Sequence, residues 1–337
     1  MRYVALVVLL VARAAYPCAP APPRGAEVQI ADEEAVIVWD PATRTETFIR
    51  QAAFVSTAKS FGFLVPTPTQ PALAETQLTT QGFEWAVRPR LVTETKGISI
   101  DPTPFALVCV AGDAKSARDT AQTPVRVLQT AHVAGYDATT LAADDPAKLA
   151  GWLDQHGYAT TPELTAWLAW YVEHHWVITA FVIASDDTGT HDIATKNVKM
   201  TFQTDRPFYP YREPAAAKPL PQRLLRVWFF APDRVTATMA GAPWVAKTLW
   251  SGAYLPATNE ESALLGARTH LTMFDDTSAP RRGTDEVYFA KSADQTDVEQ
   301  PPVVHVEPHT IAFPLDLVAL VTVIVVIVVV RRRRRAR

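Results

Sequence analysis

Residues 34–55 read EAVIVWDPATRTETFIRQAAFV, and this stretch decides the class of fold. Two runs rich in Val, Ile, Phe and Thr lie on either side of the turn-forming residues Asp40–Thr43. β-Branched and aromatic residues suit the half-buried surface of a sheet, so the pattern predicts two antiparallel strands joined by a turn. A third run, Phe61–Pro66, follows a turn near Lys59, and the three strands are predicted to form a meander.

The clearest helices lie in the middle of the chain. Asp145 is predicted to cap the first one, because its carboxylate can accept hydrogen bonds from the free N–H groups of the first turn. Pro146 suits the first helical position, Gly157 ends the helix, and Thr161 begins the next one. In the second helix, apolar residues recur at the spacing of one buried face: Leu164, Trp167, Leu168, Tyr171 and Val172.

Further strands are predicted wherever a short apolar run ends at turn-forming residues, and a helix is predicted over Pro71–Gln81. Strands outnumber helices, and the helices cluster instead of alternating with strands. The fold class is therefore α+β, with mostly antiparallel strands and a pair of central helices. The additional strands are Phe105–Ala111, Pro124–Ala134, Trp176–Ser185, Val198–Thr204, Leu224–Ala231, Val235–Met239, His270–Asp275 and Glu286–Ala290.

The C-terminal stretch is predicted to form one transmembrane helix. Ile311–Val330 holds 20 residues, which as a helix would span about 30 Å, the thickness of a hydrocarbon core. Its Leu, Ile and Val residues favour insertion by about 4–7 kcal/mol, against at most about 3 kcal/mol for Asp316. The arginines that follow are predicted to stop transfer and stay cytoplasmic: Arg331, Arg332, Arg333, Arg334 and Arg335.

The N-terminus has the pattern of a signal peptide. Arg2 precedes the apolar run Tyr3–Val11, which is too short to span a bilayer, and the sequence A-R-A offers a cleavage site at Ala14. Lipidation of Cys18 is disfavoured, because Pro17 stands where a small residue is needed. The sequence thus predicts a single-pass protein of the cell membrane, with the bulk of the chain extracytoplasmic and the C-terminus cytoplasmic.

These segments divide the chain into five parts. They are a signal peptide (1–14), an extracytoplasmic α+β domain that could contain two subdomains (15–299), a Pro-rich spacer (300–310), the transmembrane helix (311–330) and a cytoplasmic tail (331–337). Outside the membrane, residues 15–310 hold 24 of the 32 basic and 34 of the 35 acidic residues, a net charge of about −10. This acidic balance argues against a nucleic-acid partner. The lipid bilayer is the predicted partner, and a protein partner is left open.

Cys18 and Cys109 are the two cysteines of the chain. In an oxidising compartment, a disulfide between them would close a loop of about 90 residues and stabilise the fold by about 4–5 kcal/mol. Alternatively, Cys109 is a small buried core residue, because it lies in an apolar run. Both interpretations stay open.

Several motifs resemble catalytic or metal sites, and each has a simpler explanation. Asp186–Thr190 reads DDTGT, but no second Asp-Thr-Gly accompanies it, which favours a polar loop. Ser56–Lys59 matches S-x-x-K of penicillin-recognising enzymes, yet it falls between predicted strands. His174 and His175 are adjacent on a helix and cannot face one metal ion, and His-x-Glu-x-His at 305–309 lies in the spacer. We therefore predict no catalytic residue, no metal site and no cofactor.

The nine tryptophans are predicted to serve mainly in core packing. Trp244 and Trp250 flank a less regular stretch and are the better candidates for exposed ligand-binding side chains. The tryptophans predicted as core residues include Trp39, Trp85, Trp167 and Trp228.

Three segments, in order along the chain, are similar to parts of one protein family. Residues 32–68 (DEEAVIVWDPATRTETFIRQAAFVSTAKSFGFLVPTP) resemble its start, residues 125–158 (VRVLQTAHVAGYDATTLAADDPAKLAGWLDQHGY) its middle, and residues 204–214 (TDRPFYPYREP) its later part. This resemblance identifies the bacterial family numbered 2330 among the domains of unknown function. It implies a secreted or membrane-anchored envelope protein, with no assigned activity and no catalytic residues to carry over.

The sequence favours a binding or structural interaction domain of the bacterial envelope over an enzyme, because no set of catalytic residues stands out. One alternative is an extracytoplasmic hydrolase whose catalytic residues are scattered in the sequence. Another is an auxiliary subunit of a membrane complex, in which Asp316 would pair with a basic group on a partner helix.

Overall fold

The structure is a computed structural model of the chain. It describes residues 20–21, 28–56, 60–101, 130–134, 136–184, 191–194, 197–215, 223–266, 269–279, 281, 283–312 and 315–335. Ala14, Cys18, Cys109 and the predicted strand Phe105–Ala111 lie outside these residues, so what was inferred for them stays a prediction.

The chain divides into two compact units, residues 1–88 with 125–300 and residues 89–124 with 301–337. The described helices are α1 (Gln81–Val87), α2 (Pro146–Gln155), α3 (Pro162–Glu173), α4 (Asn259–Leu265) and α5 (Leu315–Arg335). The described strands are β1 (Pro20–Ala21), β2 (Val28–Asp40), β3 (Thr45–Ser56), β4 (Ser60–Thr67), β5 (Ala72–Glu75), β6 (Leu91–Asp101), β7 (Thr130–Val133), β8 (Tyr136–Leu141), β9 (Val177–Ala184), β10 (His191–Ala194), β11 (Val198–Gln203), β12 (Phe208–Tyr209), β13 (Leu225–Ala231), β14 (Val235–Met239), β15 (Ala242–Pro243), β16 (Lys247–Tyr254), β17 (Thr269–Asp276), β18 (Val287–Lys291) and β19 (Val303–Ala312).

An eight-stranded sheet forms the centre of the first unit. Its order is β16-β17-β13-β2-β3-β11-β5, with β10 also pairing to β3. Within it, β13 and β2 are parallel and the other pairs are antiparallel. Both faces of β13 are buried, since Val227 and Phe229 lie in one core and Trp228 and Phe230 in another. This double burial explains its unbroken apolar sequence. On the second face, α1 and α4 cover the sheet.

A five-stranded antiparallel sheet, in the order β1-β4-β9-β8-β7, carries α2 and α3. One of its faces contributes Phe63 and Phe181 to the core shared with the central sheet, and the other packs Ile178 against the two helices. The predicted N-cap of α2, Asp145, is confirmed. Asp145 accepts a hydrogen bond from the N–H of Ala147 at 2.7 Å.

A four-stranded antiparallel sheet, in the order β12-β18-β14-β15, completes the first unit. Val287 and Phe289 of β18 enter the same core as the inner faces of the other two sheets. The chain leaves the short strand β12 through residues 210–215, which form part of the candidate site described below. The predicted α+β class, with mostly antiparallel strands and a central pair of helices, is confirmed for the described residues.

The second unit contains a two-stranded parallel sheet, in which β19 pairs with β6 from Val303↔Leu91 to Ala312↔Asp101. The segment predicted as a spacer is thus largely a strand, because its alternating Val and polar residues pair with β6. Helix α5 begins at Leu315, later than predicted, and continues through the arginines. Among the helices that the structure describes, none is both long and apolar enough to cross a bilayer.

Two predictions about the first unit are wrong. β4 does not continue a meander, because β10 and β11 occupy the second edge of β3 and β4 pairs with β9 instead. The predicted helix over Pro71–Gln81 is absent; β5 lies there, hydrogen-bonded to β11, and α1 begins only at Gln81. In both places, sheet pairing with distant segments outweighs the local sequence preference.

Candidate functional site

An open groove of about 570 Å³ runs along α3 in the first unit. One wall is the face of α3 that carries Ala166 and Trp170, and the other is formed by residues 212–215 with Gly283 and Thr284. Its volume lies within the range of about 300–1,000 Å³ that is typical of small-ligand sites. We name it the α3 groove; it is lined by Pro162, Glu163, Ala166, Trp167, Trp170, Arg212, Glu213, Pro214, Ala215, Gly283 and Thr284.

Helix α3 is held in place by its cap and its apolar face. Thr161 Oγ1 accepts a hydrogen bond from the N–H of Leu164 at 3.2 Å, as expected for a threonine N-cap before a proline. Leu164 and Leu168 are buried against the five-stranded sheet. Trp167 is also buried, and its indole N–H donates to the carbonyl of Arg212 at 2.9 Å, which ties the helix to the opposite wall of the groove.

The indole ring of Trp170 contacts two side chains. The guanidinium of Arg212 lies 4.2 Å from its ring centre, and the His174 ring stacks at 4.0 Å with an interplanar angle of 18°. Both contacts hold the indole of Trp170 in place within the wall of the groove.

The positive charge of Arg212 is balanced within the protein. Its guanidinium donates to Asp285 Oδ1 at 2.9 Å, and its Nε lies 3.6 Å from Glu286 Oε1. The cation–π contact with Trp170 adds a further attraction. Arg212 thus links α3 to the segment before β18, and little of its charge remains for a ligand.

Glu286 is a buried carboxyl beneath this wall. Its Oε1 accepts from the hydroxyl of Tyr171 at 2.5 Å, and its Oε2 accepts from the N–H of Arg212 at 3.1 Å. Burial raises the pKa of Glu286 to about 7, although these hydrogen bonds and the charge of Arg212 oppose the shift. With this pKa, the carboxyl of Glu286 changes between its protonated and ionised forms near neutral pH.

Glu213 is a second buried carboxyl, and it lines the groove itself. Its Oε1 contacts the guanidinium of Arg223, while its Oε2 makes no hydrogen bond with any described residue. Burial raises the pKa of Glu213 well above its usual range, against the attraction of Arg223 and Arg281. Gly283 is required beside it, because a Cβ there would lie 2.7 Å from Glu213 Cγ and from the carbonyl of Tyr211.

Behind Glu213 lies a group of buried ion pairs. Arg50 Nε donates to Glu33 Oε1 at 2.6 Å, and Arg281 Nε lies 3.2 Å from Asp276 Oδ2. Burial raises the pKa of Glu33, but the charges of the surrounding arginines outweigh that effect and hold it below its usual value. Compensated charges of this kind hold neighbouring segments in register, and we assign these ion pairs a structural role.

A serine–histidine pair lies elsewhere in the first unit. Ser251 Oγ is 2.8 Å from His270 Nε2, the separation of a nucleophile and its base. Only 1% of Ser251 is exposed, however, and its hydroxyl also contacts Thr272 Oγ1 at 3.1 Å. A substrate cannot reach a hydroxyl buried in this way, so the pair joins β16 to β17 and is not a candidate active site.

The histidines singled out from the sequence do not form a metal site. His174 is the C-cap residue of α3, and His175 lies beyond the end of the helix with φ 57°. The prediction that both histidines lie on the helix is therefore wrong. His305 Nε2 lies 3.3 Å from Glu307 Oε1 on the exposed surface of β19. Among the described residues, no three His, Cys, Asp or Glu side chains could hold a metal ion together. Asp186–Thr190 lies outside the described residues.

Two predictions about tryptophans are wrong. Trp85 is 67% exposed, because Phe83 and Val87 form the buried face of the short helix α1. Trp244, predicted to be exposed, is buried against Phe274. Trp167 and Trp228 are buried as predicted, whereas Trp39 and Trp250 are only partly buried.

Three residues of this site were not predicted from the sequence: Arg212, Glu213 and Glu286. Their signal was weak. Arg212 and Glu213 interrupt a stretch of prolines and aromatic residues at 207–214, and Glu286 begins a predicted strand. Tyr171 and Glu286 are 115 residues apart, so no local pattern could show that they meet.

The fold and the groove together define an α+β protein with an open ligand-sized site, and no catalytic centre is recognisable among the residues that the structure describes. A family model described as an uncharacterised protein conserved in bacteria (DUF2330) matches residues 11–313, and the chain belongs to this family. No curated protein matches the chain. A crystal structure of baculovirus P35 is similar at 9% identity, covering 81% of this chain and 96% of that one, with a TM-score of 0.35. A likeness this weak carries no argument.

Proposed function

We propose that this chain is a binding protein whose recognition site is the α3 groove. The observation that carries the proposal is the open groove itself, whose lining is largely apolar. The contacts of Trp170 with Arg212 and His174 join the two walls of the groove before any ligand arrives. Preorganised walls lower the entropy cost of binding.

Binding is favoured over catalysis because the groove lacks a paired nucleophile and base among its described residues. Its arginine is already engaged by Asp285 and Glu286, so it is poorly placed to stabilise a developing negative charge. The groove is also open to solvent, whereas catalytic sites gain from the exclusion of water.

The test compares two matched variants of the chain, purified from its host in mild detergent. Ala166→Trp fills the groove from an exposed position on α3, and Ala263→Trp makes the same change on the exposed surface of α4, away from the groove. A ligand or partner that co-purifies with the wild-type protein and Ala263→Trp, but not with Ala166→Trp, supports the proposal. Equal retention by all three proteins would place the binding site elsewhere.

One observation favours hydrolysis as a second candidate function. Glu213 lines the groove, and burial raises the pKa of its carboxyl, which is the direction of shift that a general acid needs. If the protein is a hydrolase, Glu213→Gln should abolish turnover of a fluorogenic ester and glycoside panel while the fold persists. Absence of turnover by the wild-type protein would exclude this candidate for the substrates tested.

We further propose that the protein works in the bacterial envelope, attached to the membrane through residues 311–330. The proposed location and attachment rest on the sequence, namely on the signal-like N-terminus and the apolar C-terminal stretch with its arginines. Protease added to intact spheroplasts should digest the bulk of the chain, and alkaline carbonate should leave it with the membrane. Release by carbonate would refute the attachment, and protection from protease would refute the orientation.

A further inference from the structure

Helix α5 of the second unit carries exposed apolar surface on every side. Seven consecutive Ile and Val residues, 324–330, are each 43–55% exposed. Seven residues make about two turns of a helix, so these side chains surround the axis and do not form a single apolar face. A helix that is apolar all round is typical of a protein interior or of a membrane. The described part of the chain leaves this one uncovered.

The same helix continues through five arginines and ends at Arg335. Successive residues of a helix are turned by about 100°, so the arginines at 331–335 surround the axis within about 6 Å of its length. All five are exposed, and none forms an ion pair with a residue that the structure describes. The helix dipole offsets only about half of one charge at this end. The arginines therefore form a ring of largely unbalanced positive charge.

This ring distinguishes between polyanionic partners. A helix that lies along a membrane surface, or in a groove of a nucleic acid, carries its cations along one face. The cations of α5 instead surround the axis, directly after an apolar segment. Such a ring suits the plane of lipid headgroups around a helix that enters the bilayer, because phosphates then lie on all sides. Each guanidinium can bind a phosphate with two parallel hydrogen bonds.

The length of the apolar segment also favours contact with headgroups. Strand β19 ends at Ala312 and α5 begins at Leu315, so the apolar part of the helix is residues 315–330, about 24 Å long. The hydrocarbon core of a bilayer is about 30 Å thick. A helix this short draws the arginines toward the hydrocarbon. Their apolar stems can then be buried while the guanidinium groups reach the phosphates.

We propose that the arginines at 331–335 bind anionic phospholipid headgroups, and that a bilayer containing such lipids covers the exposed apolar surface of α5. The headgroup amine of a zwitterionic lipid balances its phosphate, so anionic lipids should be selected over zwitterionic ones. The inference rests on the proposed membrane attachment, and it names the class of lipid.

The experiment reconstitutes the full-length chain into phosphatidylcholine vesicles that contain a trace of spin-labelled phosphatidylglycerol or spin-labelled phosphatidylcholine. Electron spin resonance measures the fraction of each labelled lipid whose motion the protein restricts, and the two fractions give the preference for the anionic lipid. Phosphatidylglycerol should be preferred by at least about threefold, because each arginine near the headgroups attracts anionic lipid. Added salt should reduce the preference, since salt screens exposed charges.

Matched variants test whether the arginines are the site. The first variant keeps the two arginines next to the apolar segment and replaces the other three: Arg333→Gln, Arg334→Gln and Arg335→Gln. It should still enter the vesicles, with the preference reduced to roughly half or less. The control removes three exposed charges from the first unit and should leave the preference unchanged: Lys148→Gln, Lys247→Gln and Lys291→Gln.

The other outcomes separate the inference from the proposed attachment. Equal restriction of both lipids by the wild-type protein would overturn the inference while the attachment stands. Release of the protein from the vesicles by alkaline carbonate would refute the attachment, and the inference would fail with it. An equal loss of preference in the lysine control would show that the arginines are not the site.

Two further measurements cover the other possible occupants. A labelled single-stranded RNA is added to the detergent-solubilised wild-type protein, and we expect no binding. RNA binding that the arginine variant loses, without a lipid preference, would make nucleic acid the partner. Cross-linking of α5 to a second copy of the chain, again without a lipid preference, would make that copy the occupant. Either result would overturn the proposal.

Discussion

Replacing Glu286 with glutamine should remove a pH dependence from the stability of the protein. The carboxyl has a pKa of about 7 in the folded protein, against 4.5 for the unperturbed group. Between these values the folded state binds a proton that the unfolded chain releases. Stability from this group is thus complete below pH 4.5 and is lost as the pH rises through 7. At about 1.4 kcal/mol per pKa unit, the loss is about 3 kcal/mol.

The amide of Glu286→Gln keeps the shape and cannot ionise. Its oxygen can accept from the N–H of Arg212, and its NH₂ can donate to the oxygen of Tyr171, so the variant should fold. The free energy of unfolding is measured by urea titration at pH 4.5, 6 and 8. It should fall more steeply with rising pH for the wild-type protein than for Glu286→Gln. The other buried carboxyls are common to both proteins, so the difference between the two slopes isolates Glu286.

A second variant sharpens the test. Tyr171→Phe removes the hydrogen bond that favours the charged form, so it should move the midpoint of the Glu286 transition above pH 7. Parallel slopes for wild type and Glu286→Gln would refute the reasoning, since the carboxyl would then titrate alike in the folded and unfolded states.

Three further predictions concern stability, and chemical denaturation checks each one. Gly283→Ala should destabilise the protein by about 1–3 kcal/mol, because the added Cβ has no room. Gly151→Ala, in open space within α2, should stabilise the protein by about 0.5–1 kcal/mol. Equal effects of the two substitutions would contradict the argument. His175→Gly should stabilise by about 0.5–1 kcal/mol, because φ 57° suits glycine; a loss of stability would show that the imidazole has an unrecognised role. Phe83→Ala should cost about 3–5 kcal/mol, and Trp85→Ala, two positions away and exposed, less than about 1 kcal/mol; a reversed order would disprove the orientation of α1.

Much of the fold could be predicted wherever one strand or helix carries its own signal. The sequence LRVWFFA of β13 is apolar throughout, because the strand is buried on both faces, and it was predicted almost to its ends. The caps Asp145 and Thr161 likewise mark α2 and α3 through contacts within a few residues.

What could not be predicted depends on contacts between distant segments. The apolar run of β4 indicated a strand but not the sheet to which it belongs, since its partner β9 lies more than 100 residues later. The α3 groove is a stronger case. It needs the helix face at Ala166 and the segment at Gly283 to meet, and neither contains a motif that identifies the other.

The parallel pairing of β19 with β6 has a consequence for biosynthesis. Leu91 emerges from the ribosome about 210 residues before its partner Val303. At a translation rate of roughly 5–20 residues per second, β6 remains without that partner for about 10–40 s. During this interval the unpaired edge of β6 is open to aggregation, so a holding chaperone would have most to offer at this point of synthesis.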